Sequence, residues 1–223
     1  MMIGISNILD KQQLSKIREF LEESDFVDGS ETAGYRAKRV KDNLQLKRNS
    51  SDNQEIVDIV VNALTSNKAF NEVTFPKAIN KPLFSKYEPG MNYGFHVDQA
   101  VMNKPNCLRT DVSVTVFLNE PDEYEGGELI IKTPYGEQSV KLAAGDAVAY
   151  DSSRLHAVMP ITSGVRLVAV TWVQSFVRDA EKRVMLNELT HIQRTLHKAA
   201  PDDVGTDLSY KLYQNLYRMW AET

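Results

Sequence analysis

Residues 146–176, DAVAYDSSRLHAVMPITSGVRLVAVTWVQSF, decide how the chain is read. Three runs rich in Val, Ala, Leu and Tyr, at 146–151, 156–160 and 165–176, alternate with Ser, Pro and Gly. Short apolar runs with such punctuation are the mark of β-strands. The pattern extends back to Leu83, with further runs at 83–88, 111–119, 127–132 and 137–142. Strands this short and this numerous imply a sandwich or barrel. ITSG at 161–164 reads as a hairpin turn that folds Arg166 back beside His156 on a neighbouring strand.

Outside that region the texture is helical. Leu14, Ile17, Phe20 and Leu21 recur at helical spacing in 10–23, with Asp10 as a cap. Residues 53–64, NQEIVDIVVNAL, repeat the pattern, and Arg36 to Leu46 between them read as extended. Residues 178–199 and 207–221 form two more amphipathic stretches separated by AAPDDVGTD, which suits a helical hairpin. The fold expected is mainly β with flanking helices (α+β). Residues 1–177 would form the β domain with its N-terminal helices, and 178–223 a C-terminal helical segment.

Composition narrows the function. The chain has 223 residues, 42% apolar and 25% charged, with a net charge of -4. That balance gives no general attraction to nucleic acid or anionic lipid. No run approaches the roughly 20 apolar residues of a membrane span. The start, MMIGISNILDKQQL, meets Asp10 too early for a signal peptide. One cysteine, Cys107, excludes an internal disulfide and suits a reducing compartment, so a cytoplasmic location is expected.

The chemistry lies in His96-Val97-Asp98 and the distant His156. Residues two apart on a strand share a face, so His96 and Asp98 can present an imidazole and a carboxylate together. Two histidines and one carboxylate are the ligand set of a mononuclear non-haem Fe(II) site with open positions. A structural zinc site would close its shell, usually with cysteines. Alone, an H-x-D is as readily a surface hydrogen-bonded pair, and His156 a buried core histidine. Arg166 adds weight. A buried guanidinium needs an anion, which a protein carboxylate such as Asp111 or Asp146 could supply, or the far carboxylate of a metal-chelating keto acid. With the triad present, the cosubstrate is the better reading.

Other residues carry weaker signals. Tyr93 and Phe95 have odd parity against His96 and are expected on the opposite face, in packing roles. Arg109 and Asp111 share a face, as an exposed ladder pair or a pair at the pocket mouth that recognises substrate. Gly126-Gly127 and Gly145-Asp146 read as turns needing positive φ. Ser152 and Ser153 lie in no nucleophile elbow. His191 and His197 are too far apart for one helix face. Loop 99–109, holding Cys107, is a candidate lid.

In order, Tyr87, His96-Val97-Asp98, Arg109-x-Asp111, Thr115 to Asn119, Gly126-Gly127-Glu128-Leu129, Gly145-Asp146, His156 and Gly164-Val165-Arg166 resemble the prolyl-4-hydroxylase-like Fe(II)/2-oxoglutarate dioxygenases. The match runs from about Leu83 to Trp172, and the tail LYQNLYRMWAE extends the likeness to the bacterial PKHD-type hydroxylases. The resemblance implies a double-stranded β-helix (jelly roll), with Fe(II) on His96, Asp98 and His156. It also implies 2-oxoglutarate on Arg166 and Tyr87, with no catalytic side chain beyond the metal ligands. It implies O2 as co-reactant, hydroxylation with release of succinate and CO2, L-ascorbate to keep iron reduced, and a link to bacterial iron metabolism. Arg166 stands where collagen-type prolyl hydroxylases usually carry Lys, which puts peptidyl-proline in question as substrate. Two other readings remain: a cupin-like metal enzyme without 2-oxoglutarate, and a non-catalytic iron or 2-oxoglutarate sensor. A homo-oligomer through the C-terminal helices is a further expectation.

Overall fold

A computed structural model describes residues 1–32, 34, 36–47, 53–102 and 107–223. Two antiparallel sheets face one another. The larger has eight strands. Along it run β1 (Met2–Ile5), β14 (Ala147–Asp151), β10 (Val112–Phe117), β17 (Arg166–Ser175), β6 (Leu83–Tyr87), β4 (Leu44–Leu46) and β2 (Phe26–Asp28), while β5 (Pro76–Ile79) pairs with the far end of β17. The smaller sheet orders β13 (Gly136–Val140), β12 (Leu129–Thr133), β15 (His156–Val158), β7 (Asn92–His96) and β3 (Lys41–Asp42). Two short ribbons complete the β structure: β8 (Val101–Met102) with β9 (Leu108–Arg109), and β11 (Tyr124–Gly126) with β16 (Ile161–Gly164). This is the double-stranded β-helix expected.

Strand alternation gives the larger sheet two apolar faces. Val112, Val114, Val116, Ala147, Ala149 and Ala169 point outward, onto Ile17 and Leu21 of α1 (Lys11–Glu22), Val60 and Leu64 of α2 (Gln54–Ser66) and Phe70 of α3 (Lys68–Thr74). Their even-spaced neighbours Phe117, Val148, Tyr150 and Val168 point inward, onto Leu129, Ile131 and Val158 of the smaller sheet. Near-continuous apolar runs in β10 and β14 follow, because both faces are covered. Asp10 caps α1 in a reciprocal capping box with Gln13.

The tail forms the expected hairpin. α4 (Ala180–Ala199) packs on α5 (Val204–Trp220), and Leu186 joins Val177 and Phe75 in a separate small core closed by Tyr213, Leu216, Tyr217 and Trp220. Asp203 caps α5 through Gly205 N–H, so the helix starts at Val204, ahead of the position that periodicity suggests.

Two expectations change, and one unassigned segment becomes a strand. ITSG is a strand, not a hairpin turn: it forms β16 and pairs with β11. β15 and β17 therefore lie in opposite sheets, and Arg166 faces His156 across the sandwich. Gly164, at φ +73°, is where the chain turns between them; a Cβ there would meet the Glu123 carbonyl oxygen at 2.2 Å. Residues 36–46 hold a 3-10 turn at Ala37–Arg39 as well as β3 and β4. Residues 2–5, unassigned in the sequence, form an edge strand on β14. Part of loop 99–109 lies outside the described residues; its ends pair as β8 and β9.

Candidate active site

β7 and β15 are neighbours, and His96 pairs directly with His156. Their ring centroids are 4.3 Å apart. Ligand atoms of His96, Asp98 and His156 all lie within 4.8 Å of one another, so one ion could touch all three. Both histidines are held in the tautomer that a metal needs. Nδ1–H of His96 donates to the Gly94 carbonyl at 2.8 Å, and Nδ1–H of His156 to the Arg154 carbonyl at 2.9 Å. Each Nε2 is left with a free lone pair. Burial, and after it the neighbouring His156, lowers the His96 pKa to about 4. His96 is therefore neutral at physiological pH, as a metal ligand must be.

Asp98 is oriented by a residue that the sequence does not advertise. The Ser113 hydroxyl donates to Asp98 Oδ2 at 2.5 Å and lies 2.8 Å from the Ser152 hydroxyl. Neither serine is a nucleophile; both are buried supports of the carboxylate.

Tyr93 is not on the opposite face from His96. Its ring stacks on the imidazole at 3.6 Å. A β-bulge explains this: Val158 pairs with Tyr93 while His156 pairs with His96, so β7 carries an extra residue there. The bulge contains Gly94, where a Cβ would meet Val40 Cβ at 2.9 Å. Phe95 alone keeps the expected outward position, under Lys132. Tyr150 sets its edge against His156 with centroids 5.1 Å apart.

Arg166 opens β17 and pairs in register with Tyr87. It is 1% exposed. Its guanidinium carbon sits 5.2 Å from the Tyr87 ring and 5.6 Å from that of Phe117. Nε has no hydrogen-bond partner, and no protein carboxylate pairs with this arginine among the described residues. Asp111 is engaged by Arg109, and Asp146 caps the Asn7 amide, so neither proposed protein counter-ion serves. Two cation–π contacts offer about 2 kcal/mol each at best. A buried charge costs several kcal/mol in effective desolvation, so an anion is still wanted. Gly127 makes the room: a Cβ there would meet Arg166 Cδ at 3.0 Å, and its φ is +68°. Burial raises the Tyr87 phenol pKa, opposed by Arg166. Tyr87 thus stays a neutral donor.

Arg109 and Asp111 form a bidentate pair at 2.7 and 3.0 Å, but away from the cavity. Arg109 also holds Glu222 at 2.5 Å, and Asp111 accepts the Ser175 amide. The pair ties Glu222 and the Ser175 amide together, and neither residue lines the cavity described below. His191, His197 and Cys107 are exposed.

Between the sheets lies a cavity of about 340 Å³, lined by the His/Asp/His cluster, Tyr87, Tyr93 and Arg166 among others. Three convergent ligands, free imidazole lone pairs and an unanswered buried cation suit a metal with a chelating dianion.

Known proteins agree. Residues 82–174 match the model of the 2OG-Fe(II) oxygenase superfamily. A PKHD-type hydroxylase of Saccharophagus degradans is 43% identical over the whole of both chains, and one of Picosynechococcus is 46% identical, again over both full lengths. The chain belongs to the PKHD-type hydroxylases. It is thus a 2-oxoglutarate-dependent dioxygenase, with Fe(II) and 2-oxoglutarate implied by its family. Solved structures share its fold at low identity. A Pseudomonas putida prolyl-4-hydroxylase superposes with a TM-score of 0.53 at 19% identity, covering 78% of this chain and 92% of that one. HygX from Streptomyces hygroscopicus, bound to nickel, 2-oxoglutarate and hygromycin B, has a TM-score of 0.52 at 12% identity, covering 79% and 84%. No helix among the described residues is long and apolar enough to cross a membrane.

Proposed function

We propose that His96, Asp98 and His156 hold Fe(II), that Arg166 and Tyr87 hold 2-oxoglutarate, and that the enzyme hydroxylates a C–H bond of a substrate other than peptidyl-proline. The single observation carrying this reading is Arg166, buried and lacking a protein anion, in one cavity with the triad. When bound, ferrous iron supplies O2 activation coupled to decarboxylation of the keto acid to succinate and CO2. The chain does the rest. Nε2 of each histidine and one Asp98 oxygen would hold the metal, a donor set that suits ferrous iron. Arg166 pairs with the distal carboxylate, and the Tyr87 hydroxyl donates to it. Phe117 and Val168 are buried in one cluster with Tyr87, and such dry surroundings strengthen charge pairing.

L-ascorbate as reductant, a cytoplasmic setting and a role in bacterial iron metabolism belong to the same reading and rest on kinship alone. We also treat 1–177 as the jelly-roll domain and 178–223 as an appended helical segment, docked through Leu186 onto Phe75 and Val177. Met185, Ile192, Leu208 and Leu212, all at least half exposed, make self-association through α4 and α5 a natural expectation. Sedimentation at micromolar concentration checks it, and a monomer contradicts it.

The test of function is an anaerobic titration of Fe(II) and 2-oxoglutarate, followed by admission of O2. A weak visible charge-transfer band and repeated succinate release are expected, and Asp98→Ala should abolish both while leaving the fold intact. Turnover retained in that variant removes Asp98 from the ligand set.

A further inference from the structure

Two of the three candidate metal ligands are oriented from one short turn, residues 152–155 between β14 and β15. The Ser152 hydroxyl lies 2.8 Å from that of Ser113, which in turn donates to Asp98. Two residues on, the Arg154 carbonyl accepts Nδ1–H of His156. His96 is held differently, by the Gly94 carbonyl of its own strand. A shift of the turn would therefore reach Asp98 and His156 and bypass His96.

The turn hangs on Asp151. Its carbonyl accepts Arg154 N–H at 3.0 Å and closes the turn, while Ser152 N–H donates to the Asp111 carbonyl at 3.2 Å. The Asp151 carboxylate is buried. Arg183 takes its Oδ1 at 2.8 Å, and Oδ2 faces the Met1 amino group and Arg154.

Arg183 belongs to the first turn of α4 and lines no part of the cavity. Its guanidinium also donates to the Val177 and Arg178 carbonyls, in the link between β17 and α4. A planar fork with three acceptors fixes its carboxylate in place and direction, which an ammonium on a flexible stem does less well. Both partners are buried, so salt screens the pair weakly. The start of the C-terminal hairpin is thereby tied, by one ion pair, to the turn that aims two ligands.

We propose that Arg183 is a positioning residue for the metal centre: through Asp151 it fixes the turn that aims Asp98 and His156, so the C-terminal helices help to set metal affinity. The proposal rests on the metal reading above and goes beyond it.

The test uses the full chain loaded with Zn(II). The chain has four histidines, of which His191 and His197 are exposed. Low-field proton NMR should therefore show two protected imidazole N–H signals, from His96 and His156, and His156→Gln assigns them by removing one. In Arg183→Met the His156 proton should exchange roughly ten-fold faster, with that of His96 unchanged. Competition with a chelator should show Zn(II) held about five-fold more weakly. Arg183→Lys should move both readouts in the same direction by less, and it carries the test where Arg183→Met does not fold. Val60→Ala, in the core under α2, should lower Tm and move neither readout. Two imidazole signals that stay unchanged or shift together in the Arg183 variants overturn the proposal. So does Zn(II) affinity that is unchanged in them or equally weakened in Val60→Ala. Failure of the unaltered protein to bind Zn(II) sinks the metal reading. Tight Zn(II) binding that Arg183 does not influence sinks this inference alone.

Discussion

Arg166 and Arg183 are equally buried, each 1% exposed, yet their charges are answered in different ways. Arg183, on α4, donates to Asp151 at 2.8 Å and to the carbonyls of Val177 and Arg178 at 2.9 and 2.7 Å. Arg166 has aromatic rings and no protein anion. One arginine is answered by the fold, and the other has no protein carboxylate among the described residues. A buried cation with its counter-ion in the chain is structural; one without is a candidate binding site in an otherwise completed core. Arg183 is not remote from the chemistry either. Asp151, its partner, precedes Ser152, which lies against Ser113, which holds Asp98.

Removing each arginine separates the two roles. Arg183→Met leaves Asp151 with only the Met1 amino group at 2.5 Å and the more distant Arg154. Breaking such a buried pair should cost about 3 kcal/mol, the low end of its range. For a chain of this size that lowers Tm by roughly 6–12 °C. Arg166→Met in the metal-free, cosubstrate-free protein should leave Tm unchanged or raise it, because a lone buried charge is removed. Calorimetric melts of both check this; an Arg166 variant that melts as early as the Arg183 variant breaks the comparison.

Ser113→Ala sharpens it by testing the link between the two regions. Loss of a bond to the liganding carboxylate should weaken Fe(II) or Zn(II) binding about ten-fold, with little change in Tm. Metal titration with a competing chelator measures this, and unchanged affinity would detach Ser113 from the site. The smallest effect is on pH. The His96 pKa is lowered from 6.5 to about 4, so unfolded chains take up a proton that folded chains do not. Metal-free stability should therefore fall as pH drops from about 6.5 towards 4. In His96→Asn that slope should flatten relative to the parent. Parallel slopes would mean that His96 is not held neutral.

How much of this was legible in the sequence depends on how local each cause is. His96 and Asp98 could be paired from strand spacing alone, and the hydrophobic runs gave the sandwich. Tyr93 departs from its parity-predicted face because a bulge at Gly94 shifts parity, and the bulge is defined by β15, a strand far along the chain. ITSG looked like a turn, since two good strands flank it. Its role as β16 depends on β11, which nothing local signals. Ser113 sits in an apolar run, VSVTVF, and gains meaning only when Asp98 folds over it. Arg166 is legible as a cation that the fold brings towards His156, but the two meet across the sandwich and not along a sheet.

The most direct test is 2-oxoglutarate binding to metal-loaded wild type and Arg166→Met, by calorimetry without O2. Loss of a desolvated bidentate pair should weaken binding about a hundred-fold, with metal affinity essentially unchanged. Equal 2-oxoglutarate affinity in the two proteins would mean that Arg166 answers no ligand, and the contrast with Arg183 would fall.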